Sequence, residues 1–470
     1  MTIAALIETA QARLLEHQRR WVAEPSDDVE LRALKSIRAQ VELLNLISIE
    51  QQVKGSYPQL LVGSAFGCFG QLIELPLDGL LTVLSHPVSV RWSADARALL
   101  SRQEAGPLRE HLDNFAPLAI SCFVTCGEDF ALDEACLQRE FSFPGLGLAI
   151  RQDKAQSLGL ATVSRPDGAI IELRRGDRVM TIAPEAASVD LDCSDAEGLE
   201  VFRLPRCYGR GIFFEYAEPM LRRIFSRGID DGEVDVTLWL SRLEESAQLL
   251  RRCWPEMYDE LTASVRAIVP ASAGSSEHQS TGSDSTASGA ISTTLVTEPW
   301  FTDGIIHEHR HDLLNNLSLL DDILADDAPG ATELYSPWRP EPRPPVGLLH
   351  AVFVFVAVAE FYKRLLTVDG EALNVTHEEI AEALGLQVIN LFNGLEELKA
   401  GASFSTFGRE LWSSLMDETL RLHREAVRLG VFTSGGVQRK ASTHYQTWKQ
   451  TWGRQAISPV QQNIQRWARL

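Results

Sequence analysis

Apolar positions recur at helical spacing through the first part of the chain. The segment "DDVELRALKSIRAQVELLNLISIEQQV" (27–53) places them three and four residues apart, which is the period of an amphipathic helix. The opening "MTIAALIETAQARLLEHQRR" has the same character, with Glu8 and Glu16 among its apolar residues. It lacks the basic start and the cleavage site of a secretory signal. We therefore predict a helical N-terminal region over residues 1–150.

The pattern changes to alternation after this region. In "GLATVSRPDGAIIELRRGDRVMTIAP" (159–184), apolar and polar residues alternate on both sides of Pro166-Asp167-Gly168, which predicts a β-hairpin. The segment "LEVFRLPRCYGRGIFFEY" (199–216) adds short strands, and helical spacing then returns. The sequence predicts a mixed strand and helix region over 151–255.

A segment rich in Ser, Gly and Thr, "SAGSSEHQSTGSDSTASG" (272–289), follows the strand-like "RAIVP" and precedes the strand-like "AISTTLV". Its composition is typical of a flexible linker. The closely flanking apolar segments favour another interpretation, a long-looped hairpin placed directly before the next helix. We prefer the hairpin, and the linker stays open as the alternative.

The rest of the chain has helical periodicity. Its most apolar run, Val346–Ala359, has 14 residues and contains a histidine. It is too short to span a bilayer and is typical of a buried core helix. We predict a mainly α fold with a smaller β component (α+β), in which 256–430 form a metal-binding domain. The basic and aromatic tail, 431–470, is interpreted as a docked or frayed terminus.

Composition narrows the function classes. The 470 residues are 45% hydrophobic and 23% charged, as in an ordinary globular protein, and the net charge is −20. This charge disfavours nucleic acid and an anionic membrane surface as partners. A cytoplasmic location is our default expectation. The seven cysteines are scattered, so we predict no disulfide framework and interpret Cys122, Cys126 and Cys136 as thiols rather than cluster ligands.

Most candidate metal-binding and catalytic residues lie in one segment, "GIIHEHRHDLLNNLSLL" (304–320), which contains an H-E-x-x-H pattern. On a helix, His307 and His311 lie on one face one turn apart and can bind one metal ion together. Glu308 lies about 100° round the helix, beside such an ion rather than on it. Asp303 is a possible helix cap.

A third ligand has to come from another element. His350, within the apolar helix that follows, needs partners for both ring nitrogens, and we predict that it binds the metal. The alternative is a core histidine satisfied by the backbone. Glu360 competes for the role, but it lies about 15 Å further along the helix and about 80° off the same face. We interpret His309 and Arg310 as solvated or supporting polar residues.

The motif and the connector "LYSPWRPEPRPPVGLLHAVFVF" (334–355) resemble the HExxH-motif family of peptide-modifying enzymes encoded with ribosomal peptide natural products. The resemblance spans roughly residues 265–400 and covers the N-terminal half loosely. It implies an oxygenase that uses Fe(II), 2-oxoglutarate and O2 to β-hydroxylate a residue of a precursor peptide. His307, His311 and His350 match its metal-binding histidines.

The resemblance also implies that Arg339 and Arg343 bind the distal carboxylate of 2-oxoglutarate, a role for which the guanidinium fork is suited. Glu308 would then support a ligand or a water molecule. The cysteines of radical-SAM fusions in this family are absent, so a stand-alone enzyme is expected. Two other hypotheses stay open: a zinc metallopeptidase with Glu308 as general base, and a helical scaffold with an accidental motif.

Overall fold

A computed structural model describes the protein from residue 28 to residue 468 apart from internal gaps. The described ranges are 28–137, 140–152, 159–164, 171–175, 178–182, 199–209, 211–225, 234–271, 280–325, 333–367, 375–433 and 435–468. The structure is 65% helix and 11% strand, which confirms the predicted mainly α fold with a smaller β component. The helix predicted within residues 1–20 lies outside the described residues.

Six helices form the first part of the described chain and surround an aromatic core. Phe66 lies at its centre, with ring centroids 5.2 Å from Trp92 and 4.8 Å from Phe115. This helical part of the chain ends at residue 126, and strands begin at residue 131, so the predicted helical region over 1–150 is too long at its C-terminal end. The helices are α1 (Asp28–Ser56), α2 (Phe69–Leu72), α3 (Leu77–Leu84), α4 (Pro87–Arg102), α5 (Ala105–Asp113) and α6 (Ala116–Cys126).

Seven strands build two antiparallel sheets, with orders β1-β4-β5-β6 and β2-β3-β7. Val163 pairs with Leu173 across β4 and β5, so the hairpin predicted around Pro166-Asp167-Gly168 is confirmed in its strands. Its turn, 165–170, lies outside the described residues. The strands are β1 (Ala131–Leu137), β2 (Glu140–Phe143), β3 (Leu148–Gln152), β4 (Gly159–Ser164), β5 (Ile171–Arg175), β6 (Arg178–Ile182) and β7 (Leu199–Arg203).

A third sheet, of order β11-β12-β10-β9-β8, corrects the second predicted hairpin. β10 and β12 are neighbours but run parallel, with Ile268 opposite Ile291. The chain between them first forms β11, antiparallel to β12, and has to reverse again before β12 begins. These strands are β8 (Arg206–Cys207), β9 (Ile212–Phe214), β10 (Ala267–Pro270), β11 (Thr281–Gly282) and β12 (Ala290–Thr293). Helices α7 (Pro219–Phe225), α8 (Val236–Cys253) and α9 (Pro255–Ser264) connect β9 to β10.

The C-terminal helices pack around one apolar helix, α11, whose 21 residues exceed the 14 of the predicted run. It is the one helix in the described ranges that is long and apolar enough to cross a membrane, and 72% of its apolar window is buried inside the protein, as in a core helix. It contacts α10, α12 and α13. The helices are α10 (Trp300–Leu317), α11 (Pro345–Leu365), α12 (His377–Gly401), α13 (Thr406–Arg428), α14 (Gly436–Trp452) and α15 (Val460–Trp467).

The C-terminal tail is docked on this helical core. The buried carboxylate of Glu397 on α12 accepts hydrogen bonds from the backbone N–H groups of Tyr335 (3.1 Å), Ile457 (3.0 Å) and Ser458 (2.8 Å). One side chain therefore ties the connector before α11 and the segment between α14 and α15 to the same helix.

A close backbone contact near the start of α13 generates a stability prediction. A Cβ atom at Gly408 would lie 1.8 Å from the carbonyl oxygen of Ile323, so no larger residue fits without a backbone shift. We expect Gly408→Ala to destabilise the protein by about 1–3 kcal/mol or more in urea unfolding. Gly106→Ala is the matched control, because a Cβ atom there meets open space within α5. It should be neutral or stabilising by about 0.5–1 kcal/mol; equal losses in the two variants would contradict the prediction.

Candidate metal centre

Helices α10 and α11 pack antiparallel and bring the three predicted histidine ligands together. The ring of His307 contacts Phe355 edge-on, with centroids 5.0 Å apart, and the ring of His311 stacks on His350 at 5.3 Å. His307 and His311 share one face of α10 because they are one turn apart. His350 lies on the face of α11 that meets them. The sequence-predicted set is therefore one cluster in space.

Two of the three histidines have the separation of metal ligands. Nε2 of His307 lies 3.2 Å from Nε2 of His311. An ion that holds two imidazole nitrogens at about 2.1 Å each, about 90–109° apart, separates them by about 3.0–3.4 Å. The pair thus fits one divalent ion without a change of backbone.

The third histidine contacts the pair but is not positioned to bind the same metal ion. Nδ1 of His350 lies 3.1 Å from Nδ1 of His311, the ring nitrogen that faces away from His307. Because the two nitrogens of one imidazole point in diverging directions, an ion on the Nε2 pair does not reach Nδ1 of His350 in this arrangement. Accordingly, no group of three or more His, Cys, Asp or Glu side chains in the described ranges is arranged to hold a metal ion.

All three imidazoles are neutral at pH 7. Burial lowers the pKa of His307 to about 4, and the positive charge of Arg339 adds to this shift. Burial also lowers the pKa of His311 to about 3, with further effects from the neighbouring histidines. The pKa of His350 is lowered by burial as well. Since a metal binds the neutral ring, the cluster is in the protonation state that metal ligands require.

Glu308 is held by hydroxyl groups from a distant loop. Its carboxylate accepts hydrogen bonds from Oγ1 of Thr281 (2.6 Å) and Oγ of Ser283 (2.7 Å), one on each oxygen. Oε1 lies 4.0 Å from Nε2 of His307. The second half of the Ser/Gly/Thr-rich segment therefore packs on the motif helix. Sequence analysis missed both hydroxyl partners, and the only signal for them was the polarity of that segment.

The polar residues between the motif histidines are buried, which corrects the expectation of solvated side chains. His309 Nε2 lies 2.6 Å from Oε1 of Glu260 on α9, and Arg310 Nη1 lies 3.4 Å from the same oxygen. Both side chains are at most 2% exposed. The supporting role expected for them is consistent with this geometry, because they fix faces of α10 that turn away from the pair of His307 and His311.

Two acidic residues considered in the sequence have other partners. Asp303 is not a helix cap, since α10 begins at Trp300. Its half-buried carboxyl, whose pKa is raised to about 6 by desolvation, accepts a hydrogen bond from Tyr362. Glu360 is buried among three cations, with distances of 2.7 Å to Lys363, 2.6 Å to Arg364 and 2.6 Å to Arg421. Glu360 is thus engaged in ion pairs and does not compete with His350.

The two connector arginines differ in their surroundings. Arg343 pairs with Glu341 at 2.6 Å. Arg339 is exposed, and within the described part of the chain its guanidinium has no ion-pair partner. The preceding residue, Trp338, stacks parallel to Phe355 at 4.9 Å and donates a hydrogen bond to Gln387. Since Phe355 also contacts His307, this stack places Arg339 next to the histidine cluster.

Contacts with the C-terminal tail fix the backbone of the connector at Arg339. Trp452 of α14 donates its indole N–H to the carbonyl oxygen of Pro340 (2.7 Å). His444 of the same helix contacts the hydroxyl of Tyr335 (3.0 Å) and the backbone carbonyl of Arg339. The basic and aromatic tail therefore supports the connector from outside.

Comparison with models of known protein families gives no match, and comparison with curated proteins gives none either. The resemblance stated above therefore depends on the H-E-x-x-H motif, the connector and His350 alone. Any functional conclusion has to follow from the chemistry of these residues.

The lowered pKa of His307 generates a prediction for stability against pH. Between pH 6.5 and about 4, the unfolded chain binds a proton at this residue that the folded protein excludes. Stability is therefore lost as pH falls through this window. We expect His307→Gln, which carries no titratable group, to lessen that loss by on the order of 3 kcal/mol. Urea unfolding with a chelator present, at several pH values, measures the difference; parallel pH profiles for the two proteins would contradict it.

Proposed function

We propose that the protein is an Fe(II)- and 2-oxoglutarate-dependent oxygenase that β-hydroxylates a residue of a ribosomally made precursor peptide. The observation that carries the proposal is the meeting of three neutral, half-buried imidazoles beside a guanidinium without an ion-pair partner in the described ranges. Neutral imidazoles are suitable ligands for a divalent metal, and a guanidinium is a suitable partner for a carboxylate. The family resemblance of the motif and connector supports the choice of iron and of a peptide substrate.

Each residue of the cluster has a defined role in this proposal. His307 and His311 would hold the metal through their Nε2 atoms, which lie 3.2 Å apart. His350 would be the third ligand, a role that requires its ring to leave Nδ1 of His311. Bound iron would supply activation of O2 coupled to oxidation of the keto acid. The apolar rings of Phe355 and Trp338 exclude water from one side of the cluster.

Arg339 is the better of the two connector arginines for the distal carboxylate of 2-oxoglutarate. Its charge already acts on His307 and His311, so it lies close to the cluster. A planar guanidinium can donate two parallel hydrogen bonds to a carboxylate. Arg343, in contrast, would first have to leave Glu341.

The environment of Glu308 favours oxidation over hydrolysis. In a zinc metallopeptidase this carboxylate would take a proton from a metal-bound water. Here both of its oxygens already accept short hydrogen bonds from hydroxyl groups, an arrangement that suits a residue that orients a ligand or a water molecule. The peptidase is kept as the second candidate, because Oε1 of Glu308 lies only 4.0 Å from Nε2 of His307.

Metal binding tests the first step of the proposal. We expect the purified protein to bind about one Fe(II) per chain and to consume 2-oxoglutarate with O2. His350→Ala should weaken iron binding at least tenfold, which corresponds to about 1.4 kcal/mol. His377→Ala is the control, because this histidine lies at the start of α12 and bonds the carbonyl oxygen of Leu366. Unchanged iron affinity in His350→Ala would remove it from the ligand set.

The product then separates the two candidate functions. Peptides encoded beside the gene are incubated with the Fe(II) protein and with the Zn(II) protein and analysed by mass spectrometry. Gain of one oxygen atom, with activity largely retained in Glu308→Gln, supports the oxygenase. Cleaved peptide from the zinc form, abolished in Glu308→Gln, would replace the proposal with the peptidase.

The connector arginines give a second prediction. Arg339→Gln should raise the KM for 2-oxoglutarate at least tenfold, because a charge-assisted hydrogen bond to the keto acid contributes about 1.5–3 kcal/mol. Arg343→Gln is the matched control and should change the KM less than about twofold on the same energy scale. The measurement is 2-oxoglutarate consumption at saturating Fe(II). Equal effects of the two substitutions would mean that the proximity of Arg339 to the histidines is not used for this co-substrate.

A further inference from the structure

A second concave site lies behind the motif helix, on the face of α10 opposite the histidine pair. It is a cleft, open to solvent, between α1, α10 and the junction of α9 with β10. From α10 it is lined by His309, Asp312 and Asn316, which lie on average about 150° round the helix from His307 and His311. The cleft is therefore separate from the proposed metal centre, although one helix contributes to both.

Three cationic side chains line this cleft, namely Lys35, Arg38 and Arg266. Ser264 and Ser288 line it as well, but their hydroxyls already donate to the carbonyl oxygen of Glu260 (2.6 Å) and to Oδ1 of Asn316 (3.2 Å). The donors available to a ligand are therefore the cationic groups, which are suited to an oxyanion.

The two arginines retain donor capacity that the described residues do not use. Nη2 of Arg38 donates to the carbonyl oxygen of Ser285 (2.7 Å), but its Nε is buried without a hydrogen-bond partner. Arg266 is half-buried, and the described residues place no carboxylate in an ion pair with it. Burial alone lowers its pKa, with no acidic group acting against the shift. A guanidinium removed from water without a counter-charge is unfavourable unless an anion supplies that charge.

The carboxylate that lines the cleft is engaged elsewhere. Asp312 accepts a hydrogen bond from the backbone N–H of Gly289 (3.1 Å) and another from the side-chain amide of Asn316 (3.3 Å). Gly289 has a φ of +86°, and a Cβ atom there would lie 3.7 Å from Cγ of Arg266. The positive φ of the glycine lets the chain turn here, beside the stem of Arg266. Asp312 anchors this turn. The charges of Asp312 and Glu42 act on Arg38, but among the described residues neither carboxylate forms a direct ion pair with Arg38, and Arg266 has no acidic group acting on it.

We propose that this cleft is a binding site for a small oxyanion, a phosphate or a carboxylate, held by Arg38 and Arg266. Bidentate guanidinium contacts suit either group. Ser285 and Ser288 belong to the loop 280–289, whose other end carries the two hydroxyls that hold Glu308. A bound anion would therefore also hold this loop in place. The inference does not depend on the reaction at the histidine cluster.

Thermal unfolding of the full chain in inorganic phosphate, and separately in malonate, tests the site, with sodium chloride at the same ionic strength as the salt control. We expect a saturable rise of the unfolding temperature with at least one of the two anions. Arg266→Gln should weaken the response at least tenfold in anion concentration, and Arg266→Lys should weaken it less, because it keeps the charge and loses the fork. His307→Gln should respond as the wild type does, which separates this site from the proposed metal centre.

Hydrogen exchange provides the second readout. Phosphate or malonate should increase protection of amides in 280–289 in the wild type and leave them unchanged in Arg266→Gln. The inference is overturned if neither anion stabilises the wild type beyond the salt control, or if the wild type and both Arg266 variants respond equally. Should Arg266→Gln fail to fold, the comparison of wild type with Arg266→Lys and Arg38→Gln decides in the same way.

Discussion

The antiparallel packing of α10 on α11 is the contact on which the histidine cluster depends. Along this interface Asp303 meets Tyr362, His307 meets Phe355, and His311 meets His350. The surrounding positions of α11 are apolar, and the half-buried imidazoles are neutral because burial lowers their pKa values. Burying neutral rings costs far less than burying charged ones. Each of the three rings contacts another ring of the cluster.

On its other faces, polar contacts with specific partners fix the rotation of α10 about its own axis. Glu260 binds both His309 and Arg310, and the hydroxyls of Thr281 and Ser283 bind Glu308. Each of these contacts is short and involves a buried or half-buried group, so rotation of the helix would leave polar atoms unpaired at a cost of about 1–3 kcal/mol each. The rotation of α10 that presents the histidines to α11 is thus set from three directions at once.

The parts of this arrangement that are local in sequence could be predicted, and those that depend on long-range pairing could not. Helical spacing places His307 and His311 on one face. An isolated histidine in an apolar helix needs a polar partner, which predicted that His350 belongs to the same cluster. The turn residues Pro166-Asp167-Gly168 likewise predicted the β4–β5 hairpin. The relative direction of two strands could not be predicted in this way. β10 and β12 are parallel because of the path that the chain takes between them, and local composition does not determine that path.

The same limit applies to the site. Local composition indicated a linker or a loop at 272–289, but the hydroxyls that bind Glu308 come from about 25 residues away in sequence, and many Ser and Thr residues in that segment were equivalent candidates. His309 and Arg310 were interpreted as solvated or supporting polar residues because helical spacing turns them away from the face of His307 and His311. Their burial follows from Glu260, a residue on another helix whose proximity no local pattern shows.

The position of Arg339 is maintained by backbone contacts and ring stacking rather than by ion pairs. Trp338 stacks on Phe355, and α14 binds the backbone of the connector through Trp452 and His444. Proline residues on both sides and the docked tail restrict movement of the connector backbone at this position. No described residue forms an ion pair with Arg339, as the proposed binding of a carboxylate from outside the protein requires. Its charge opposes protonation of the histidines beside it.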